Sequence, residues 1–270
     1  MRILTAFLFL SLFSAACQPA SGPVGKPETD RPASSSKPET KTDADGIHKP
    51  FGALLAKYVK AGKVDYKRWV DDVGDRKVLA DYLAKLAAFK PETLDEKGQK
   101  AFWINAYNAV TLAQVIERYP LKSVNFDELK DPKAKDFWNT SASVGTKTIT
   151  LNDIENVILR PTFKDARIHF AINCASNGCP ILQPDAFEPA MLDTQLNDAA
   201  KMFLSDTTRG ATFDEKTGTL TVSPIFKWYA SDFGDVAGFV GKFRPDLAGK
   251  IKKVEFQGYD WRLNDTGGPR

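Results

Sequence analysis

Histidine and cysteine are scarce in this chain: among 270 residues there are two histidines and three cysteines, against 37 lysines and arginines and 34 acidic residues. Three cysteines are too few for paired CxxC knuckles, and the two histidines, His48 and His169, stand too far apart for an HExxH helix. A glycine-rich phosphate loop and a GxSxG elbow are missing too, so no cofactor and no metal is expected. Charge of one sign is also lacking. A formal net charge of +3, with both signs interspersed, gives no basic stripe, which sets nucleic acid aside as a partner. Long apolar runs are absent as well: the stretch from Ile3 to Phe13 is too short for a confident membrane span.

What is present suffices for a real core, with 43% hydrophobic and 11% aromatic residues. The chain begins Met1-Arg2, continues through that apolar run, and reaches Ser14-Ala15-Ala16-Cys17, the order of a secretory signal. Small residues directly before a cysteine and its polar tail resemble the bacterial lipoprotein cleavage box, in which Cys17 carries the lipid. Ser14 stands where that pattern usually has leucine, so ordinary cleavage at the small residues is the alternative. The expected organisation is a signal peptide over 1–16, a lipid-anchored disordered tether over 17–46, and a single globular domain over 47–270. The tether is rich in Pro, Ser, Thr and charge and cannot bury enough surface to offset chain entropy. Such a protein is exported and held at the cell envelope by its lipid anchor, with the domain in the periplasm or outside the cell.

Periodicity predicts helices around Phe51, Leu54, Leu55 and Tyr58, closed by Gly62, and around Val78, Leu79, Tyr82 and Leu86, stopping before Pro91. His48, at the tether boundary, reads as a solvated residue. A third helix, about 95–118, has hardly any polar face in its middle and is therefore central and buried. Asn105 and Asn108 lie three apart within it, on one side, and their amides need partners there: either a neighbouring loop or a substrate. Asn152 and Glu155 have the spacing of a helix capping box; the alternative aims Glu155 at a histidine site. Further on come a helix over 189–204, a hairpin joining 211–213 to 220–222, two short helical segments near 225–229 and 236–243, and a strand over 251–256. The fold class is α+β, with the buried central helix packed on a small, mainly antiparallel sheet.

Most of the chemistry is concentrated between Arg167 and Leu182, which reads as a buried strand ending in a tight loop. His169, Cys174 and Cys179 fall here. In an oxidising compartment, cysteines five apart around a glycine invite a disulfide, Cys174–Cys179. Alternatively Cys174 is a thiol nucleophile with His169 as its base. A metal held by His169, Cys174 and Cys179 lacks an obvious fourth ligand. Strand geometry puts His169 and Cys174 on opposite faces unless the chain bends between them.

Four separated motifs, Ala101 to Ala109, Ile154-Glu155 with Leu159-Arg160, Ile168 to Ala171 with Asn173 to Ser176, and Tyr259 to Asn264, together resemble the domain of unknown function 547 family (DUF547), over roughly Phe51 to Asn264. The resemblance implies a domain of unassigned activity found in bacterial envelope lipoproteins and plant proteins, and a distant kinship with papain-like or transglutaminase-like folds. It marks Asn105, Asn108, Glu155, Arg160, His169, Cys174 and Pro180. It supplies no nucleophile by analogy, because a papain-like helix begins with its reactive cysteine and the central helix here carries Asn105. A catalytic arrangement then has Cys174 as nucleophile, His169 as base, Glu155 as orienter, and Asn105 or Asn108 as donor to an oxyanion. The expected function is a thiol-dependent hydrolase or acyl transferase acting on a small molecule or peptide. The alternative is a non-catalytic binding or structural lipoprotein with the cysteines bridged.

Overall fold

The central helix begins where Asp95 accepts a hydrogen bond from the Gly98 amide at 2.7 Å, and it runs from Glu96 to Arg118. At 1.5 Å per residue it spans about 35 Å, and from Lys100 to Leu112 every side chain is buried. A computed structural model describes residues 46–267 of the chain. The expected signal peptide, the Cys17 expected to carry lipid, and the expected tether up to residue 45 lie outside the described residues.

Helices Tyr66–Asp71 and Val73–Ala88 pack on the central helix, and Lys49–Tyr58 packs on both of them. Asp65 and Asp72 cap these two helices in turn, each accepting from an amide three residues on. Phe51 stacks on Tyr82 at 5.1 Å and Tyr58 on Trp69 at 4.5 Å, so the first core is held by large aromatic area. His48 belongs to it. The expectation of a solvated histidine is overturned: the ring is buried, and its Nδ1 lies 2.7 Å from the Tyr82 hydroxyl. Burial lowers its pKa to about 4, so it is neutral at physiological pH.

A second, smaller core forms around the three-stranded sheet. Ala211–Asp214 and Thr219–Val222 pair antiparallel, Phe213 opposite Leu220, and Lys253–Phe256 joins in parallel, Val254 beside Leu220. Leu220 and Val222 point inward in the period-2 alternation of a strand, onto Phe203 and Leu204 of helix Leu192–Ser205 and onto Phe226 and Phe233. Two short antiparallel hairpins, Val59–Lys60 with Lys63–Val64 and Ala142–Val144 with Lys147–Ile149, sit elsewhere. The molecule is α+β; its central helix is enclosed chiefly by helices, and the three-stranded sheet has its own core. Among the described residues no helix is long and apolar enough to cross a membrane.

The predicted strand over Arg167 to Ile172 is instead a tight helical turn, Ala166–Phe170. Asp165 starts it by accepting from the Arg167 amide, and the same carboxylate ties down the Arg167 guanidinium and the buried Lys100 ammonium. Ile168, Ala171 and Ile172 enter the first core while Phe170 enters the second. His169 therefore lies on the seam between the two.

Candidate active site

The cysteine loop is built by a chain of backbone clamps. Asn108 donates to the Ala171 carbonyl at 3.0 Å and accepts from the Asn173 amide at 2.8 Å. Asn173 in turn donates to the Pro180 carbonyl at 2.7 Å and accepts from the Ala175 amide at 2.8 Å, closing the loop and holding Ala175 at φ +64. The C-terminal motif then straps the loop from outside: Asn177 and Gly178 donate to the carbonyls of Arg262 and Asp260, and Asn264 donates to Ala175. Gly178 is required by this contact, since a Cβ there would lie 2.9 Å from the Asp260 amide nitrogen.

Cys174 emerges half-buried from the loop. Its Sγ lies 2.9 Å from Cys179 Sγ, 3.1 Å from Ser176 Oγ and 3.4 Å from the Tyr259 hydroxyl. Both cysteines are free, and 2.9 Å is well beyond the ~2.05 Å of a covalent bridge, so the expected disulfide is not formed here. The sulfurs meet instead as donor and acceptor. When Cys174 is ionised the Cys179 thiol donates to it, and this hydrogen bond is the largest influence lowering the Cys174 pKa to about 6; Ser176 and Tyr259 add to it against the opposing effect of burial. Burial raises the Cys179 pKa well above the usual thiol range, so Cys179 keeps its proton.

The imidazole is fixed by a different set. His169 is 3% exposed, and its Nε2 lies 2.8 Å from Asp232 Oδ2. Arg160 grips the same carboxylate with Nε at 2.6 Å and Nη2 at 2.9 Å, holding its pKa far below the usual carboxylate range. An ionised Asp232 accepts the Nε2 proton, which leaves the Nδ1 lone pair facing Glu155 Oε1 at 3.7 Å. Tyr229 stacks on the ring at 4.0 Å. Burial outweighs the Asp232 charge and lowers the His169 pKa to about 4, so the ring is neutral. Among the described residues no hydrogen bond joins His169 to Cys174.

Glu155 is freed for the site by a shift in the cap. The capping box here is Thr150 with Asp153, two residues before the expected Asn152 and Glu155: Asp153 donates its amide to Thr150 Oγ1 at 3.1 Å, and its carboxylate accepts from the Thr150 amide at 3.0 Å. The following turn, Ile154–Leu159, is wound as a π-helix, its Arg160 amide reaching back to the Glu155 carbonyl, a distortion common at functional sites. Glu155 is 8% exposed, and burial raises its pKa to about 7 despite a hydrogen bond with Tyr229.

Cys174, Cys179, His169 and Glu155 line one cavity of about 180 Å³, together with Tyr107, Trp138, Trp228, Tyr229, Tyr259 and Trp261. Asn105 and Asn108 do not line it. Asn105 donates to the Phe187 carbonyl at 2.8 Å and accepts from the Phe187 amide at 2.9 Å, so both asparagines spend their amides on backbone, and the expected oxyanion donor is not found in them. A metal held by His169 and the two cysteines is not supported either: His169 is committed to Asp232, and among the described residues no group of three or more His, Cys, Asp or Glu is arranged to hold an ion. Sequence reasoning missed Asp232 and Tyr229 and gave Tyr259 no role. The available signal was Arg160, since a guanidinium drawn into a site calls for a carboxylate, and Asp232 lies in the aromatic segment Trp228 to Phe233.

Residues 91–204 match the model of the family described as "Protein of unknown function, DUF547". The match includes the central helix, Glu155, His169 and both cysteines, and ends before Tyr229, Asp232 and Tyr259. No curated protein and no solved structure matches the chain.

Proposed function

We propose that the cavity is the site of a thiol-dependent hydrolase or acyl transferase with Cys174 as nucleophile. The observation that carries this is the Cys174 sulfur at the cavity wall, receiving hydrogen bonds that hold its pKa at about 6, so that the thiolate prevails at neutral pH. The thiolate attacks an acyl carbon, a C–S bond forms, and the leaving oxygen or nitrogen takes a proton from Glu155, whose pKa of about 7 suits both halves of the cycle. Water or an amine then attacks the thioester, gives its proton to Glu155, and the sulfur departs as thiolate. Tyr229 holds Glu155 by a hydrogen bond, and His169, fixed by Asp232 and Arg160, faces it at 3.7 Å. The sequence's signal and Cys17 box support placing this activity at the cell envelope on a lipid anchor.

The second reading is a non-catalytic binding or structural protein, favoured by the lack of any hydrogen bond between His169 and Cys174 among the described residues. Alkylation separates the two. In protein isolated without reductant, the rate of Cys174 labelling by iodoacetamide should rise with pH through an inflection near 6. Absence of a free thiol there, or an inflection at the ordinary ~8.5, defeats the nucleophile.

A further inference from the structure

The cavity holds three of the chain's five tryptophans and no lysine or arginine. The Arg160 guanidinium lies 4.8 Å from the centre of the lining Tyr229 ring but is engaged by both oxygens of the Asp232 carboxylate. The ionisable groups at the wall are thus neutral or negative, and neutral donors rather than a cation stabilise the Cys174 sulfur. Aromatic rings add to the same field, since their faces carry the negative side of the ring quadrupole. Trp228 and Trp261 stack 5.5 Å apart at 23°, while Trp138 meets Trp261 at 5.7 Å and 67° and Tyr259 meets Trp228 at 4.9 Å and 60°, so the stacked pair is flanked by rings set at an angle to it. Trp228 remains 47% exposed, open to an incoming group.

We infer that this cavity receives the positively charged head of an organic ammonium compound, with Trp138, Trp228 and Trp261 as its walls and Glu155 and the Cys174 sulfur as its counter-charges. Anionic substrates such as phosphates or carboxylates would meet no cation and are disfavoured by the cost of burying unmatched charge. A quaternary or alkylated ammonium fits better than a bare ion, because its weakly hydrated surface sheds water cheaply and spreads its charge over several rings. The inference rests on the acyl-transfer reading for its meaning, in that the ammonium belongs to the acyl group or its acceptor.

The test is titration of the intact protein by calorimetry with choline and with its uncharged isostere 3,3-dimethylbutan-1-ol. Choline should bind at least about tenfold more tightly. Trp228→Leu, which keeps apolar bulk at an exposed position but removes the ring, should weaken choline severalfold and leave the alcohol unchanged; Glu155→Gln should weaken choline alone. Equal or tighter binding of the alcohol, tighter binding of a neutral disaccharide, or no binding of any probe overturns the inference. Binding is read without turnover. A sluggish thiol beside selective choline binding therefore removes the nucleophile and leaves the cation site, and a reactive thiol beside unselective binding does the reverse.

Discussion

The wall that carries Cys174 and the wall that carries His169 are assembled by different means. Cys174, Ser176 and Cys179 come from six consecutive residues, and only the Tyr259 hydroxyl arrives from a distance. Glu155, Arg160, His169, Tyr229 and Asp232 come from separate elements meeting where the two cores touch. Their electrostatics differ accordingly. Neutral donors keep a negative charge accessible on the thiol wall, whereas burial on the imidazole wall suppresses charge on His169 and delays it on Glu155, while Asp232 stays ionised through Arg160. A nucleophile that is already ionised needs no base to activate it. The acyl transfer proposed for this site would then require only a proton carrier for the leaving group, the role proposed for Glu155 on the opposite wall.

The largest effect expected from breaking this division is at the sulfur. Cys174→Ser replaces a thiolate by a hydroxyl far too weakly acidic to ionise at neutral pH, and labelling or turnover with acyl and amide probes should fall by about 10³-fold or more. Circular dichroism and thermal melting should be close to those of the parent, because the substitution is nearly isosteric. Activity retained in this variant would move the chemistry away from the thiol wall.

Glu155→Gln comes next and separates activity from stability. Loss of a proton carrier should cost about 10²–10⁴-fold in turnover. Stability should move the other way. The folded-state pKa of Glu155 is raised to about 7, so its stabilising contribution is complete below the unfolded value near 4.5 and is lost as pH rises through 7. Glutamine stays neutral throughout, so at pH 8 the variant should be more stable by up to about 3 kcal/mol, and the gain should vanish by pH 4.5. His169 and His48 act in the opposite sense: both have pKa values lowered to about 4, so the stability each contributes is present above the unfolded value near 6.5 and is lost as pH falls towards 4. A denaturant series at several pH values reads both slopes. A variant less stable at every pH would mean that Glu155 supports the helix start, which the Thr150 and Asp153 pairing argues against.

The difference between the walls also decides what could be read from the chain. The buried central helix was legible because sixteen of its residues face inward and the apolar pattern has almost no gap. Cys174 and Cys179 could be named as a pair because their relation is local. Asp232 could not be paired with His169, since 63 residues separate them and the contact depends on how two cores abut. The turn at Ala166–Phe170 reads as a strand because the four apolar residues Ile168, Phe170, Ala171 and Ile172 fit either state, and Asp165 tips the balance through bonds to the distant Lys100 and the neighbouring Arg167. The cap near Glu155 was misplaced by two residues for a simpler reason: two capping-box spacings overlap there, and Thr150 with Asp153 is the one whose hydroxyl and carboxylate close on each other.

On the thiol wall alone, Cys179→Ala sharpens the account of why the sulfur is acidic. The Cys179 hydrogen bond is the largest influence on Cys174, so its removal should raise the labelling inflection from about 6 towards the ordinary ~8.5. Ser176→Ala should raise it less, and Tyr259→Phe less again. The titration of Glu155 should move little in any of the three. If all three shifts are equal, the acidity belongs to the loop backbone rather than to these side chains.

The smallest effect expected is the one that asks whether the walls are independent. In Gly178→Ala the new methyl would lie 2.9 Å from the Asp260 amide nitrogen and 3.1 Å from the Tyr259 ring, so the strap must yield by a few tenths of an ångström. Overpacking of this kind costs about 1–3 kcal/mol, and the lower end is expected here because a loop can shift more easily than a core. The displaced Tyr259 hydroxyl should slow Cys174 labelling slightly, while the pH dependence assigned to Glu155 and His169 stays in place. Sites that share no partner combine additively, so Gly178→Ala with Glu155→Gln should give the sum of the single stability changes to within about 0.5 kcal/mol. A larger discrepancy would show that the strap reaches across the cavity and that the two walls open and close as one.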